Sequence, residues 1–125
     1  MSTGIQTKSN WYDQLERKAA QRMYAISFDL DTQVLQETYG SESWRNAYYE
    51  IKQALAEFGF NWQQGSVYFG NENVTSITCL QATQGLVRRF DWFAPSVRDI
   101  RMLRIEEQND LRSVIDDEVR QLGTR

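Results

Sequence analysis

Alternation of large apolar residues with small or polar ones over residues 23–30 predicts the strand around which the chain is organised. Tyr24, Ile26 and Phe28 would lie on one face of this strand, with small or polar side chains on the other. Asp29 comes near the end of the strand, where it leaves the sheet. A side chain at such an edge is available for chemistry, because it no longer has to fill the core.

The next part of the chain predicts a helix followed by a hairpin. Apolar residues recur at three- and four-residue intervals over residues 41–58, and Gly59 stands at the position that ends helices. Two short strand-like runs follow at residues 60–63 and 66–69. Gly65 lies between them and can adopt the positive φ that a tight turn requires, which favours a hairpin.

The last part of the domain predicts a weaker helix over residues 73–90 and a strand over residues 97–106. The element order strand, helix, strand, strand, helix, strand is the split βαβ pattern of ferredoxin-like folds. The predicted class is therefore α+β, with one antiparallel sheet and helices on one face. Because the last strand carries apolar residues on both of its faces, the second face of the sheet is expected to be covered by a second subunit.

Extra segments flank this domain on both sides. The predicted organisation is an N-terminal tail and helix over residues 1–22, a ferredoxin-like domain over residues 23–108 and a C-terminal helix over residues 109–125. Each added helix carries an apolar stripe that could bind a partner protein or build a higher oligomer, although packing back on its own subunit is favoured. The two stripes are Trp11, Leu15 and Ala19, and Leu111, Val114, Val119 and Leu122.

The composition limits the classes of protein and of chemistry. The chain has 125 residues, of which 41% are hydrophobic, and this supports one packed domain. No apolar run approaches the length of a membrane span and the first residues lack a secretion signal, so a cytoplasmic protein without membrane contact is expected. Cys79 is the single cysteine and there is no histidine, which excludes an intramolecular disulfide and the common zinc sites. Cys79 is expected to be a small buried hydrophobe.

Without histidine, acid/base chemistry would depend on carboxylates, tyrosine, lysine or metal-bound water. The net charge is −3, but it is unevenly distributed. Residues 84–105 contain five arginines and two aspartates, whereas residues 106–125 contain six acids and three arginines. A surface that binds nucleic acid would therefore be local.

The ferredoxin-like topology predicts where polar residues meet. A right-handed crossover puts the first strand at the centre, with the third and fourth strands antiparallel to it. The end of the first strand then lies beside the hairpin turn and the start of the fourth strand. Asp29, Ser66 and the group Arg98, Asp99 and Arg101 should converge there. Asp99 and Arg101 would share one face of their strand and Arg98 the other.

Three separated stretches of the chain resemble the virulence-associated protein D (VapD) family, in the order found in that family. These stretches are MYAISFDL at residues 23–30, QGSVY at residues 64–68 and SVRDIR at residues 96–101. The resemblance implies a dimeric ferredoxin-like protein similar to the small CRISPR-associated nuclease of that fold. It also implies an endoribonuclease activity associated with bacterial toxin–antitoxin systems, and hence RNA and an antitoxin protein as partners.

The resemblance further implies that Asp29, Ser66 and Asp99 are the functional residues, with Leu35 as a packing position nearby. The segments before residue 23 and after residue 111 depart from the family pattern, which leaves the oligomeric surface open.

RNA cleavage needs a group that takes a proton from the attacking hydroxyl and groups that hold the phosphate. Asp29 or Asp99 would act as the base, Ser66 would donate to a phosphate oxygen, and Arg98 or Arg101 would pair with the phosphate. Alternatively, Asp29 and Asp99 would together hold a divalent cation such as Mg²⁺, which would activate the nucleophile. The sequence is consistent with both mechanisms, and only the second one requires a cofactor, the divalent cation.

Each candidate also has a structural interpretation. Asp29 could cap the turn that follows it, and Ser66 could serve only the hairpin. Arg98, Asp99 and Arg101 could form an ion-pair network between strands at a dimer edge. On this interpretation, the protein would be a non-catalytic nucleic-acid-binding or adaptor dimer of the same fold.

Aromatic residues offer a further choice between binding and packing. Trp62, Tyr68 and Trp92 could stack on the bases of single-stranded RNA, but packing in the core or at an interface is the favoured interpretation.

Overall fold

The structure is a computed structural model and describes residues 23–123, which form four strands and five helices. In chain order these elements are β1 (Met23–Leu30), α1 (Thr32–Tyr39), α2 (Asn46–Glu57), β2 (Phe60–Gln64), β3 (Val67–Gly70), α3 (Ser76–Arg89), α4 (Phe93–Ser96), β4 (Val97–Ile105) and α5 (Arg112–Gly123).

The four described strands form one antiparallel sheet in the order β2-β3-β1-β4. β1 is therefore central, with β3 and β4 as its two antiparallel neighbours, as the split βαβ pattern predicts. The turn between β2 and β3 contains Gly65 at φ +49°, so the predicted hairpin and its positive φ are both confirmed. The class is α+β with a ferredoxin-like topology and additional helices.

One face of the sheet packs against α2 and α3 and forms the core. Alternate residues of β1 supply Ile26, Phe28 and Leu30 to this face, and all three are buried. The helices supply Ala47, Ile51, Ala54 and Leu55 from α2 and Cys79, Ala82 and Leu86 from α3. The apolar residues that recur every two positions in β1 and every three to four positions in the helices therefore pack in one core, as expected.

Two of the singled-out residues are packing residues, as predicted. Leu35 of α1 is fully buried. Cys79 is also buried and has no disulfide partner, and burial raises the pKa of its thiol. A thiol that is buried and protonated behaves as a small apolar side chain.

Aromatic rings fill the core at the end where β1 terminates. Phe28 stacks on Tyr68 with a centroid distance of 5.9 Å and meets Phe93 edge-on at 6.3 Å. Trp92 stacks on Phe90 at 4.7 Å. Tyr68 and Trp92 are both buried, so the favoured packing interpretation is confirmed for these two aromatic residues.

Ser96 ties the end of β1 to the start of β4. It is fully buried, its hydroxyl donates to the Trp92 carbonyl at 2.7 Å, and its carbonyl accepts from the Asp31 N–H at 2.7 Å. Buried polar groups with complete hydrogen bonding hold their surroundings in one arrangement. This link fixes the backbone that follows Asp29.

The C-terminal helix α5 does not pack as the sequence predicts. None of its residues is buried, and its stripe is more than half exposed: Leu111, Val114, Ile115, Val119 and Leu122. The expectation that this stripe packs on its own subunit is therefore wrong for the part of the chain that the structure describes. The predicted N-terminal tail and helix over residues 1–22 lie outside the described residues, and the domain boundaries remain a prediction.

Within residues 23–123, no helix is both long enough and apolar enough to cross a membrane.

Candidate active site

Asp29 of β1 and Asp99 of β4 lie directly opposite each other in the register of the two antiparallel strands. Opposed residues of an antiparallel pair point to the same face of the sheet, here the face that does not pack against α2 and α3. The register shifts immediately after this pair, between Asp29 and Leu30. Such irregularities often re-aim a side chain beside an active site.

The two carboxylates differ in their partners. Asp99 accepts from the Nε of Arg101 at 3.0 and 3.2 Å, and Arg101 is two residues further along the same face of β4. The Asp29 side chain is exposed and makes no hydrogen bond or ion pair with another residue between 23 and 123. Asp29 is therefore the carboxylate that is available to a ligand.

Asp29 is not the helix cap of the following turn, because Asp31 has that role. The Asp31 Oδ1 accepts from the backbone N–H groups of Gln33 at 3.0 Å and Val34 at 3.1 Å, which begins α1. The hydrogen bond from Val34 and the nearby Arg98 guanidinium hold the pKa of the Asp31 carboxyl below its usual value. The structural interpretation of Asp29 as a cap is therefore wrong.

The register of β4 is irregular at Arg98, because Val97 lies opposite Leu30 and Asp99 opposite Asp29, while Val97 and Ile100 both pack against the core. Strict alternation is therefore interrupted, and the predicted placement of Arg98 on the face opposite Asp99 and Arg101 is not confirmed.

Arg98 pairs with Asp31 at 3.2 Å, whereas Arg101 pairs with Asp99. Each arginine pairs with a carboxylate of its own chain. Both side chains are exposed, and exposed ion pairs contribute little free energy. A phosphate group could therefore replace either carboxylate as the partner of its arginine.

Ser66 lies in the hairpin turn beside the end of β1. Its carbonyl accepts from the N–H of Phe28 at 3.1 Å, one residue before Asp29. Ser66 therefore reaches the same end of the sheet as Asp29 and Asp99, which is the convergence that the topology predicts. Its side chain lines a cavity on the helical side of the sheet, together with Tyr48 and Tyr68.

This cavity contains residues that the sequence analysis did not identify as functional candidates. It has a volume of about 350 Å³, and α2 contributes Tyr48, Tyr49 and Lys52 to it. Tyr48 and Lys52 are four residues apart and so share a helix face. The four-residue spacing of Tyr48 and Lys52 is the only sequence signal for this cavity. It is not distinctive, because Tyr48 also fits the apolar stripe by which α2 packs on the core.

The tyrosine hydroxyls of the cavity stay protonated. Burial raises the pKa of Tyr48, and the negative charge of Asp29 raises it further. Burial alone raises the pKa of Tyr68 to about 12. Both hydroxyls are therefore hydrogen-bond donors at neutral pH, and the effect of Asp29 on Tyr48 links the cavity electrostatically to the exposed carboxylate.

The carboxylate pair also fits a divalent cation. Mg²⁺ is commonly held by one or two protein carboxylates and keeps several water ligands, so Asp29 and Asp99 could supply the protein ligands. No cluster of three or more histidine, cysteine, aspartate or glutamate residues suited to a metal occurs among residues 23–123.

No family model matches the chain, but comparison with curated proteins finds clear relatives. "Endoribonuclease VapD 2" of Riemerella anatipestifer is 46% identical over 93 residues, which cover 74% of this chain and 99% of that protein. "Endoribonuclease VapD homolog" of Helicobacter pylori is also 46% identical, over 74% of this chain and 96% of the relative. "Endoribonuclease VapD" of Dichelobacter nodosus is 40% identical, over 74% and 97%. The expected resemblance is thus confirmed, and the chain belongs to the VapD family.

Proposed function

We propose that this protein is an endoribonuclease that hydrolyses phosphodiester bonds of RNA and acts as the toxin of a bacterial toxin–antitoxin system. The activity is the one named for its VapD relatives. The single structural observation that carries the proposal is the exposed carboxylate of Asp29, which lies directly opposite Asp99 at the end of the central strand and has no hydrogen bond or ion pair with residues 23–123. An exposed acid without a structural partner at such a position is suited to chemistry.

In this mechanism, Asp29 takes the proton from the attacking hydroxyl or water. Asp99 is the weaker candidate for the base, because Arg101 already neutralises it. Ser66 donates a hydrogen bond to a phosphate oxygen, and Arg101 can exchange Asp99 for the phosphate as negative charge develops there. Arg98 would keep its pairing with Asp31 at the start of α1 and would not hold the phosphate.

A metal-assisted mechanism uses the same two carboxylates. Asp29 and Asp99 would hold Mg²⁺, and the ion would supply a more acidic water and charge neutralisation at the phosphate. Ser66 and Arg101 would keep their roles in orienting the phosphate.

The test is cleavage of labelled RNA by the wild type and by the variants Asp29→Ala and Asp99→Ala, with and without Mg²⁺. We expect both variants to fold and to lose cleavage, and Asp91→Ala, which removes an exposed acid elsewhere, to retain it. Unchanged cleavage in both site variants would overturn the assignment. Salt-sensitive RNA binding without cleavage by the wild type would favour the non-catalytic adaptor instead.

The assembly that we propose is a homodimer. β4 is an edge strand of nine residues in the described sheet, and Met102 and Leu103 are exposed on its two faces. Exposed apolar edge strands readily pair with another chain. Contact through the face that carries Leu103 would bring two copies of the Asp29 site near each other.

An antitoxin protein is the partner that we propose for α5. The apolar stripe of α5 is exposed along its whole length, and an amphipathic helix of this kind fits the hydrophobic groove of a partner. The cytoplasm remains the expected location, because RNA and an antitoxin would be met there.

A further inference from the structure

The cavity between α2 and the β2–β3 hairpin contains an exposed tryptophan that core packing does not explain. Trp62 is 49% exposed, whereas Tyr68, its partner in the register of β2 and β3, is buried. Both point to the helical side of the sheet, but Trp62 lies on the edge strand β2, whereas Tyr68 lies on β3, which has a strand on each side. Together with the exposed ring of Tyr49, which lines the same cavity, Trp62 forms an apolar patch, and it is such patches that indicate a binding role.

The ring of Trp62 is held in one orientation. Its indole N–H donates to the Gly65 carbonyl at 2.8 Å, which ties the side chain to the turn of its own hairpin. The ammonium group of Lys52 lies 5.2 Å from the ring centroid. A flat ring that is fixed before the ligand arrives loses little conformational freedom on binding.

The other side chains that line the cavity include three tyrosines, whose hydroxyl groups are its polar points. Tyr49 is exposed and its hydroxyl accepts from the side chain of Gln53 at 2.8 Å, which orients a second ring. The protonated hydroxyls of Tyr48 and Tyr68 are donors. A nucleobase has both an aromatic face and acceptor atoms along its edge, so it matches this combination.

Ser66 is the candidate site residue that lines the cavity, whereas Asp29 and Asp99 do not line it. The Ser66 carbonyl is bonded to the Phe28 N–H, and the charge of Asp29 affects Tyr48. A ligand in the cavity would therefore have its sugar and phosphate at Ser66, the lining residue that is hydrogen-bonded to β1 one residue before Asp29. Lys52 lines the same cavity and adds a positive charge that can pair with the RNA backbone.

We propose that this cavity binds one unpaired nucleobase of the RNA next to the scissile phosphate, stacked on Trp62, and that Lys52 pairs with its phosphate backbone. The inference rests on the proposed function, because it takes RNA as the substrate. Stacking on an aromatic ring is possible for every base, so the cavity selects for an unpaired nucleotide and not for a sequence.

The experiment measures RNA binding without cleavage, using Asp29→Ala protein and a short single-stranded RNA. Trp62→Leu removes the aromatic face and should weaken binding about tenfold, whereas Trp62→Phe retains a ring and should stay within about threefold. Trp44→Leu is the matched control, because Arg45 lies 4.5 Å over the Trp44 ring but Trp44 does not line this cavity. This control should bind as the parent does.

A second arm locates the base. A set of RNAs carries one abasic nucleotide each, at a different position along the strand. With the parent protein, affinity should fall when the abasic nucleotide is at one particular position. With Trp62→Leu, the abasic nucleotide at that position should cause no additional fall in affinity. An equal abasic loss in both proteins would overturn the proposal. So would a Trp62→Leu protein of lower oligomeric mass, because Trp62 would then be a contact between two copies.

Failure of the nuclease proposal gives a different result. If the wild type never cleaves RNA but the abasic loss depends on Trp62, the base site stands and only the catalytic assignment falls. If cleavage occurs and depends on Asp29 while the loss of affinity at the abasic position is independent of Trp62, the catalytic assignment stands and the base site falls.

Discussion

Asp29 and Asp99 are direct cross-strand partners in the β1–β4 ladder, and among residues 23–123 only Asp99 has a counter-ion, Arg101. Two like charges opposite each other on one face of a sheet destabilise the fold. The chain therefore carries an unfavourable arrangement at the end of its central strand that packing does not require. Such arrangements are typical of functional sites, where stability is lost in favour of chemistry.

Neutralising Asp29 should therefore stabilise the protein while it abolishes cleavage. Asp29→Asn removes the repulsion with Asp99 and leaves the shape of the side chain, so we expect a gain of about 0.2–1 kcal/mol in the free energy of unfolding. In a thermal melt at neutral pH this corresponds to a rise of the midpoint by about 1–4 °C.

Asp91→Asn provides the control for this melt, because it removes an exposed acid that has no cross-strand partner. Its midpoint should not change. A lower midpoint for Asp29→Asn would mean that Asp29 stabilises the fold, and it would remove the argument that this acid is kept for function.

The two arginines of β4 should differ in their effect on RNA. Arg101 shares the face of the carboxylate pair, so Arg101→Ala should raise KM for cleavage and lower the slope of log affinity against log salt by about 0.7–1. Arg98→Ala removes the partner of the Asp31 cap and should leave that slope nearly unchanged. Equal slopes in the two variants, from binding titrations at several salt concentrations, would contradict this difference between the two arginines.

Alkaline pH should unfold the protein partly through Tyr68. Burial raises the pKa of its hydroxyl to about 12, from an ordinary value of 10.0. The neutral form is favoured in the folded state, so the stability from this group is complete below pH 10 and is lost as the pH rises towards 12. The slope of unfolding free energy against pH between 10 and 12 should therefore be shallower in Tyr68→Phe than in the wild type.

Tyr49→Phe is the matched control for the alkaline measurement, because Tyr49 lies on the same cavity but is exposed. Its slope over the same pH range should equal that of the wild type. If Tyr68→Phe also keeps the wild-type slope, another group controls alkaline unfolding.

Much of the fold can be predicted from local patterns, because strand and helix periods and turn glycines act over short distances. The alternation around Ile26 and Phe28 and the turn at Gly65 are sufficient for the ferredoxin-like order. The four-residue helix α4 is too short to show a period, and it is not predicted. The register between Asp29 and Asp99 depends on the alignment of two strands about 70 residues apart, so topology predicts their shared edge but not their direct opposition.

Exposure is also decided by tertiary structure. Trp62 and Tyr68 look equivalent in the sequence, yet only Tyr68 is buried, because Trp62 lies on an edge strand and Tyr68 does not. The stripe of α5 predicts an apolar contact, but amphipathicity does not identify the surface that provides it.

Two neighbouring residues of β4 test the proposed dimer face. Leu103 is 44% exposed on the face that carries Asp29, and Met102 is 51% exposed on the helical side. If the dimer forms through the face that carries Leu103 and Asp29, Leu103→Lys places charges in the interface and should halve the mass measured by light scattering. Met102→Lys makes the same change one position away and should leave the mass unchanged. A dimer that survives Leu103→Lys but not Met102→Lys would assign the interface to the side of α3, and the two Asp29 sites would then act independently.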